Sequence, residues 1–174
     1  MVYWMSPIVA VTGTPGCGKT TLCKKFQFSV KSVRELAEKY DCIDEIDPLD
    51  GASPIDIEKL SKSIDWGASP LIVDGHLSHL LPVDAAIIVR CNPNVLQGRL
   101  ESREYSSEKI QSNLESELIG LISSECLGMP HLELDSDIGI NAMFEQSMQW
   151  ITDGFIPQRP NEPIDWIELI NGSD

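Results

Sequence analysis

The chain has 174 residues, of which 42% are hydrophobic, and this is enough to form the core of one domain of ordinary size. Its 13 Lys and Arg residues against 27 Asp and Glu residues give a formal net charge of −14 at pH 7 and a sequence pI of about 4.5. Such a field repels nucleic acid and anionic membrane surfaces. We therefore expect no direct nucleic-acid or membrane partner, and a protein partner would be basic.

The termini and the cysteines point to an intracellular protein. The first residues, MVYWMSP, lack a basic region followed by an apolar run, and no apolar stretch of the sequence is long enough to span a bilayer. The five cysteines include no CxxC pair and no histidine at zinc-ligand spacing. We predict a cytoplasmic protein whose cysteines, Cys17 included, are structural.

Strand and helix patterns alternate along the chain. Short Ile- and Val-rich runs begin at Ile8, Pro70 and Ala85, as expected of buried parallel strands, and HLELD from His131 is a candidate last strand. Helices are predicted at Lys19–Phe28, Val33–Tyr40, Ile55–Ile64, Asn94–Arg103, along one stripe from Ile110 to Ile122, and at Ile140–Ile151. This alternation predicts an α/β fold. The proline-rich segment 155–174 is expected to lie as a tail across the same domain.

A glycine-rich loop follows the first predicted strand. The sequence GTPGCGKT, from Gly13 to Thr20, matches Gly-x-x-x-x-Gly-Lys-Ser/Thr and lies between a predicted strand and a predicted helix. In such a loop the backbone N–H groups surround phosphate, Lys19 reaches the β- and γ-phosphates, and Thr20 can hold Mg²⁺. The sequence has no Asn-Lys-x-Asp guanine-reading motif, so GTP is disfavoured as the main substrate.

The second predicted strand ends in a carboxylate and is followed by a histidine. In LIVDGHLSH, Asp74 occupies a position from which a carboxylate could orient Mg²⁺ or its waters, and His76 could face the transferred phosphate. The alternative is that Asp74 caps a turn and His76 is an ordinary loop residue. We favour the functional interpretation for these two residues, and a structural one for His79 and His131.

Two arginines lie four residues apart in the next helical pattern. Arg99 and Arg103 share one helix face, ahead of a short polar break, and could close over phosphates. They could equally form a surface ladder of ion pairs with Glu101, Glu104 and Glu108. The sequence alone leaves these alternatives open.

Three separated segments, GTPGCGKTT, LIVDGHLSHLLP and VLQGRLESREYSSEKIQSNLESEL, together resemble the atypical adenylate kinase family of isoenzyme six and its archaeal relatives. The resemblance implies one domain with a doubly wound parallel-sheet P-loop nucleoside monophosphate kinase fold. It also implies a monophosphate-binding flap at about 32–55 and a short lid at about 102–112. Relatives usually carry Asn-Val-Gly-Asp or a similar sequence where this chain reads SVRE from Ser32, so the acceptor nucleotide stays open.

The same resemblance implies roles for individual residues. Asp74 and His76 would form the Walker B-type pair, and Arg103 would be the lid arginine; with Lys19 these would be the catalytic residues. Mg²⁺ would be held by Thr20 and Asp74. ATP would be bound by Arg103 and the loop residues Gly13, Gly16, Cys17, Gly18, Lys19, Thr20 and Thr21.

Two functions follow from this family. The first is an adenylate kinase that converts Mg-ATP and AMP to two ADP, with some ATPase activity, by in-line transfer without a side-chain nucleophile. The alternative is an ATPase switch in small-ribosomal-subunit maturation, acting on a basic ribosomal protein, with His76 orienting water and the acidic surface imitating RNA.

Overall fold

A parallel β-sheet forms the centre of the computed structural model, which describes residues 6–46, 53–67, 71–160 and 162–172. The strands are β1 (Ile8–Thr12), β2 (Ser29–Ser32), β3 (Leu71–Asp74), β4 (Ala85–Arg90) and β5 (His131–Asp135). They are hydrogen-bonded in the order β2-β3-β1-β4-β5, and every pairing is parallel. The carboxyl ends of all five strands therefore lie at one edge.

Helices connect the strands and cover both faces of the sheet. They are α1 (Lys19–Cys23), α2 (Val33–Lys39), α3 (Ile57–Ser63), α4 (Pro93–Glu101), α5 (Ser107–Leu118), α6 (Leu121–Glu125), α7 (Ile140–Thr152) and α8 (Trp166–Asn171), with short 3-10 turns at Ser78–Leu80 and Ser136–Ile138. None of the helices in the described ranges has the length and apolar content that crossing a bilayer requires.

The alternation of strand side chains separates the core into layers. In β1, Val9 and Val11 pack with α1, α4 and α7 on one face, and Ala10 contacts the α6 region on the other. A further cluster joins β3 to α2 and α3, around Leu36 and Leu60. With helices on both faces, the fold is the predicted doubly wound α/β architecture.

Two predicted helices have different bounds in the structure. The helix predicted over Lys19–Phe28 ends at Cys23, and β2 follows from Ser29. This strand, SVKS, was missed because it lies at the sheet edge with two exposed residues and has no apolar run. The stripe from Ile110 to Ile122 is two helices, because Gly120 adopts a φ of 66° between α5 and α6 and interrupts the helical hydrogen bonds.

The other predicted elements are present with shifts of a few residues. The helix predicted from Ile55 begins at Ile57, since Ile55 instead forms a bridge with Ile43. The helix predicted to end at Arg103 ends at Glu101. The proline-rich tail contains α8, which the sequence interpretation had not predicted. Within the predicted flap, residues 47–52 lie outside the described ranges.

Gly13 is the position where the fold most strictly requires glycine. Its φ is 139°, and a Cβ atom there would lie 2.3 Å from the Val89 carbonyl oxygen in β4. We expect Gly13→Ala to lower the free energy of unfolding by about 2 kcal/mol or more, since the left-handed backbone and the clash act together. Urea denaturation followed by circular dichroism measures this loss.

Gly98 provides the matched control for that substitution. It lies inside α4, and a Cβ atom there would meet nothing within 4 Å. Gly98→Ala should raise the free energy of unfolding by about 0.5–1 kcal/mol, because alanine is the better helix former. Equal stabilities for the two variants would contradict the described loop geometry.

Candidate functional site

A pocket of about 720 Å³ opens at the carboxyl edge of the sheet. Four segments line it: the glycine-rich loop with the start of α1, the 74–77 loop after β3, the start of α2 with residues 53–55, and the turn between α4 and α5 with one face of α5. The predicted loop, flap and lid segments thus meet around one cavity. Such concave sites at the strand ends are where open α/β sheets bind their ligands.

The glycines of the loop have different surroundings. A Cβ atom at Gly16 would lie 2.9 Å from Leu96 Cδ1, so this glycine permits close packing of the loop on α4. Gly18 has a φ of 103° and nothing within 4 Å of a built Cβ atom, and it lines the pocket. The loop therefore packs against the protein at Gly16 and stays open at Gly18, which begins α1. The backbone can be approached by an anion at this open position.

Lys19 lies folded over the loop that precedes it. Its side chain is buried, and Nζ donates a hydrogen bond to the Thr14 carbonyl oxygen at 3.1 Å. Burial lowers the pKa of Lys19, while the nearby Asp74 carboxylate acts in the opposite direction. The ammonium group is thus held at the pocket wall with few protein partners, so a phosphate oxygen would gain a strong contact there.

Thr20 and Asp74 are joined across the pocket floor. Thr20 Oγ1 donates a hydrogen bond to Asp74 Oδ2 at 2.7 Å, and this places the first turn of α1 against the end of β3. The other carboxylate oxygen, Asp74 Oδ1, is buried without a hydrogen-bond partner in the described part of the chain. The unpaired Asp74 oxygen and the Thr20 hydroxyl are both hard oxygen ligands, and such ligands suit Mg²⁺ or its bound waters.

His76 faces the same pocket. Its side chain lines the cavity and is exposed to the solvent that fills this concave site. Desolvation by the cavity walls, with the positive charges of Lys19 and Lys109 nearby, lowers the pKa of the exposed His76 ring to about 4. Neutral His76 can therefore accept a hydrogen bond at pH 7. Its backbone oxygen accepts a bond from Thr12 Oγ1 at 3.2 Å, which holds the loop.

The other two histidines lie outside this pocket, as the sequence interpretation expected. His79 is buried, and its ring nitrogens lie 2.8 Å from Thr12 Oγ1 and 2.9 Å from Glu125 Oε2. His131 Nδ1 lies 3.0 Å from the Met129 carbonyl oxygen. Both histidines thus link neighbouring elements of the fold.

The two arginines of α4 and its following turn have different environments. Arg99 Nη1 donates to the Gly16 carbonyl oxygen at 3.2 Å and so supports the loop from behind. Arg103 lines the pocket, and its guanidinium has no hydrogen bond or ion pair to the described residues, while its amide donates to the Leu100 carbonyl oxygen at 3.1 Å. The surface ladder with Glu101, Glu104 and Glu108 does not form in the described part of the chain, where the ion pairs involve other residues.

Cys17 contributes its side chain to the core rather than to the pocket. It is buried, its amide donates to the Thr14 carbonyl oxygen at 3.2 Å, and Sγ lies 3.9 Å from Glu117 Oε2. A hydrogen bond with Cys91, together with burial, raises the pKa of the Cys17 thiol well above its ordinary value. All five cysteines are buried and unpaired. The structural interpretation of Cys17 agrees with this position.

The turn before α5 and one face of α5 supply pocket residues that the sequence interpretation did not select. Tyr105, Lys109 and Asn113 line the pocket at intervals of four residues, and Lys109 Nζ lies 4.6 Å from the centre of the Tyr105 ring. The segment predicted as a lid, about 102–112, consists of the turn after α4 and the first turns of α5. The four-residue spacing of the polar face was the available signal.

The fold has counterparts among solved kinase structures. A sugar kinase from Janibacter superposes with a TM-score of 0.54 at 17% identity, covering 90% of this chain and 99% of that one. A deoxyadenosine kinase from M. mycoides superposes with a TM-score of 0.53 at 14% identity, covering 84% and 98%. With the loop and sheet order, these likenesses define a P-loop protein with a nucleoside monophosphate kinase-like α/β fold.

Sequence comparisons then give the family. A family model described as "AAA domain" matches residues 9–120. A protein named "Putative adenylate kinase" in Archaeoglobus fulgidus is 47% identical over 123 residues, which cover 69% of this chain and 66% of that protein. A protein of the same name in Methanocaldococcus jannaschii is 38% identical over 135 residues, which cover 74% of this chain and 76% of that protein. The chain belongs to this AAA domain family together with these archaeal adenylate kinase-like proteins.

The surroundings of His76 give a direct prediction. In the ligand-free protein its ring should titrate with a pKa of about 4, against the ordinary value of 6.5, because the pocket and its cations oppose protonation. Proton NMR of the three histidines across pH 3–8 measures the titration, and His76→Ala assigns the resonance. A His76 midpoint close to 6.5 would show that the ring is solvated outside the pocket.

Proposed function

We propose that this protein is a nucleoside monophosphate kinase of the adenylate kinase type, which converts Mg-ATP and AMP to two ADP and hydrolyses ATP slowly without an acceptor. The observation that carries the proposal is the continuity of the pocket. A single cavity runs from Gly18 and Lys19 in the loop to Ser32, Val33 and Arg34 at the start of α2. This arrangement provides a donor end and an acceptor end. The names given to the archaeal relatives support the same activity.

The donor end would hold the triphosphate of ATP. Backbone N–H groups at the open side of the loop around Gly18 would bind the β-phosphate, and Lys19 would keep its bond to the Thr14 oxygen while its other N–H groups bind phosphate oxygens. Thr20 and Asp74 would hold Mg²⁺, and the ion would neutralise charge on the phosphates. This group of residues lies on the rigid ends of β1, β3 and α1, so little reorganisation is needed on binding.

The acceptor end would hold the phosphate of AMP. Arg34 lines the pocket there, and its guanidinium Nε donates to Glu38 Oε1 at 3.2 Å on the exposed face of α2. An exposed pair of this kind contributes about 0–1 kcal/mol to stability, so exchanging Glu38 for a phosphate would cost little. Ser32, which caps α2, lies beside it. Arg34 would thus supply a positive charge in place of the glycine that relatives usually have.

Transfer would depend on position and charge rather than on covalent chemistry. The Arg103 guanidinium, which has no hydrogen bond or ion pair within the described ranges, would bind the transferred phosphoryl group from the predicted lid segment. Lys19 and Arg103 would then face that group from opposite walls of the pocket, compensating the charge that spreads over its oxygens in the transition state. Closing of the α4–α5 turn over the nucleotides would exclude water.

ATP hydrolysis is the second activity that one observation favours. Neutral His76 in the pocket can accept a hydrogen bond from a water molecule, and such an interaction would orient the water toward the γ-phosphate. The alternative function, an ATPase switch that acts on a basic partner protein, is supported only by the net charge of −14, which would attract such a partner. We therefore propose hydrolysis as a minor activity of the same site.

Steady-state rates with ATP alone, and with AMP, CMP, GMP, UMP or dAMP added, test the proposal. We expect AMP to give the fastest transfer, exceeding hydrolysis by about tenfold or more, because a bound acceptor oxygen is already positioned. Lys19→Ala should lower both rates by about 100-fold or more, since it removes a charge that the transition state needs. Rates that no monophosphate changes would contradict the kinase proposal and leave an ATPase.

The lid role of Arg103 has its own test. We expect Arg103→Ala to lower kcat for transfer by about 100-fold, since it removes a charge from the transition state, yet to change the free energy of unfolding by less than about 0.5 kcal/mol. Coupled-enzyme kinetics and urea denaturation measure the two effects. Lys62→Ala is the control: it removes one positive charge from an exposed pair with Glu58, away from the pocket. Equal kcat values for the Arg103 and Lys62 variants would exclude the lid role.

A further inference from the structure

The carboxylate of Glu117 is buried where several parts of the chain meet. Glu117 lies near the end of α5, its side chain is 3% exposed, and every hydrogen-bond partner it has is a donor. Oε1 accepts bonds from Arg90 Nε at 2.8 Å, the Cys91 amide at 3.1 Å and Trp166 Nε1 at 2.9 Å. Oε2 accepts a bond from Thr14 Oγ1 at 2.7 Å. One side chain therefore joins β4, the phosphate loop and the C-terminal helix.

The bond to Thr14 reaches the nucleotide pocket through the backbone. Thr14 is the second residue of the loop, and its side chain points away from the pocket toward Glu117. Its carbonyl oxygen accepts bonds from Lys19 Nζ at 3.1 Å and from the Cys17 amide at 3.2 Å. The position of Thr14 thus decides where the oxygen lies that holds the Lys19 ammonium. Glu117 acts on Lys19 through a single intervening residue.

The bond from Trp166 connects the C-terminal tail to the same carboxylate. Trp166 is buried at the start of α8, and its indole ring lies 5.8 Å from the Arg90 guanidinium carbon. Asp165 caps α8 by accepting bonds from the Ile167 and Glu168 amides. The indole N–H is therefore held in direction by a capped helix and by stacking on Arg90.

Two further bonds fix the tail next to Trp166. The Ile164 carbonyl oxygen accepts a bond from Arg90 Nη1 at 3.2 Å, and the Ile164 amide donates to Glu133 Oε2 at 2.9 Å. Arg90 Nη1 also donates to Glu133 Oε2 at 3.2 Å, so one buried arginine serves two buried carboxylates. The tail thus satisfies polar groups that would otherwise be unpaired inside the protein.

We infer that Glu117 is a positioning residue for the phosphate loop, and that the docked C-terminal tail, through Trp166, sets the orientation of its carboxylate. The tail is then a part of the nucleotide site that contacts no nucleotide. Without the Trp166 N–H, Oε1 keeps its bonds from Arg90 and the Cys91 amide but loses its third donor, so the direction of the carboxylate toward Thr14 is less strictly fixed. The Thr14 carbonyl and Lys19 would lose their fixed positions. The inference rests on the proposed ATP binding at this loop.

Trp166→Phe tests the inference by removing the indole N–H while it keeps an aromatic ring over Arg90. We expect the Kd for Mg-ATP, measured by titration calorimetry without an acceptor, to rise by about three- to tenfold. The KM for ATP should rise in parallel, with a smaller change in kcat, since loop position affects binding first. Asp165→Ala, which removes the cap of α8, should also raise the Kd for Mg-ATP. This variant replaces Trp166→Phe in the test if Trp166→Phe does not fold.

Trp150→Phe is the matched control. Trp150 is also buried, and its indole N–H donates to the Pro157 carbonyl oxygen at 2.8 Å, so it too holds the C-terminal segment, but it does not contact Glu117. This variant should lower the melting temperature by an amount similar to that of Trp166→Phe and leave the Kd for Mg-ATP unchanged. A Trp166→Phe variant that likewise loses only thermal stability would overturn the inference.

Thr14 provides a second line of evidence. Thr14→Val keeps the shape and removes the hydroxyl, so the Kd for Mg-ATP should rise, and Thr14→Ser should restore it. The variant combining Thr14→Val with Trp166→Phe should raise the Kd by less than the product of the single effects, because both act through Glu117. Fully multiplicative effects would overturn the inference. Mg-ATP binding without transfer to any monophosphate would instead overturn the kinase proposal alone.

Discussion

The ion pair between Arg90 and Glu117 is the interaction on which the rest of the site depends. Arg90 ends β4 and Glu117 is the penultimate residue of α5, and both side chains are almost fully buried, with Nε and Oε1 2.8 Å apart. Two charges can remain inside a protein only when their other hydrogen-bonding positions are also filled. Thr14, Trp166, Glu133 and backbone groups fill those positions. Removing one partner of such a pair costs about 3–5 kcal/mol.

The requirement to fill those positions fixes the relation between elements that are distant in sequence. The glycine-rich loop after β1, the end of β4, helix α5 and the C-terminal helix α8 each contribute to the same buried polar group. An apolar core of similar size would tolerate small shifts of these elements, whereas hydrogen bonds to a carboxylate restrict distance and direction. Gly18 can therefore be open toward the pocket, because the loop is held from behind by Thr14 and by the Arg99 bond to Gly16.

The parts of the molecule that sequence patterns predicted are those in which neighbouring residues carry the information. β1, the phosphate loop and β3 with Asp74 are each recognisable within about ten residues, because strand burial and loop conformation are local properties. β2 was missed since its pairing with β3, rather than its own apolar content, makes it a strand. The sequence analysis predicted no role for Glu117 and placed the residues of α8 in a proline-rich tail. Their burial arises from contact with Arg90, which lies far away in sequence.

An acidic chain that is proposed to bind phosphate must have a positive electrostatic potential in its pocket although its net charge is negative. Lys19, Arg34, Arg103 and Lys109 come from separate segments of the chain, and only the fold brings them to one pocket, although acidic residues outnumber basic ones 27 to 13 in the sequence. Charges on that surface are screened over a Debye length of about 10 Å at 0.1 M salt, whereas contacts inside a pocket are screened much less. The backbone N–H groups of the loop add partial positive charge that does not depend on composition. Overall charge therefore governs which macromolecules approach the protein, and the geometry of the strand ends governs what the pocket holds.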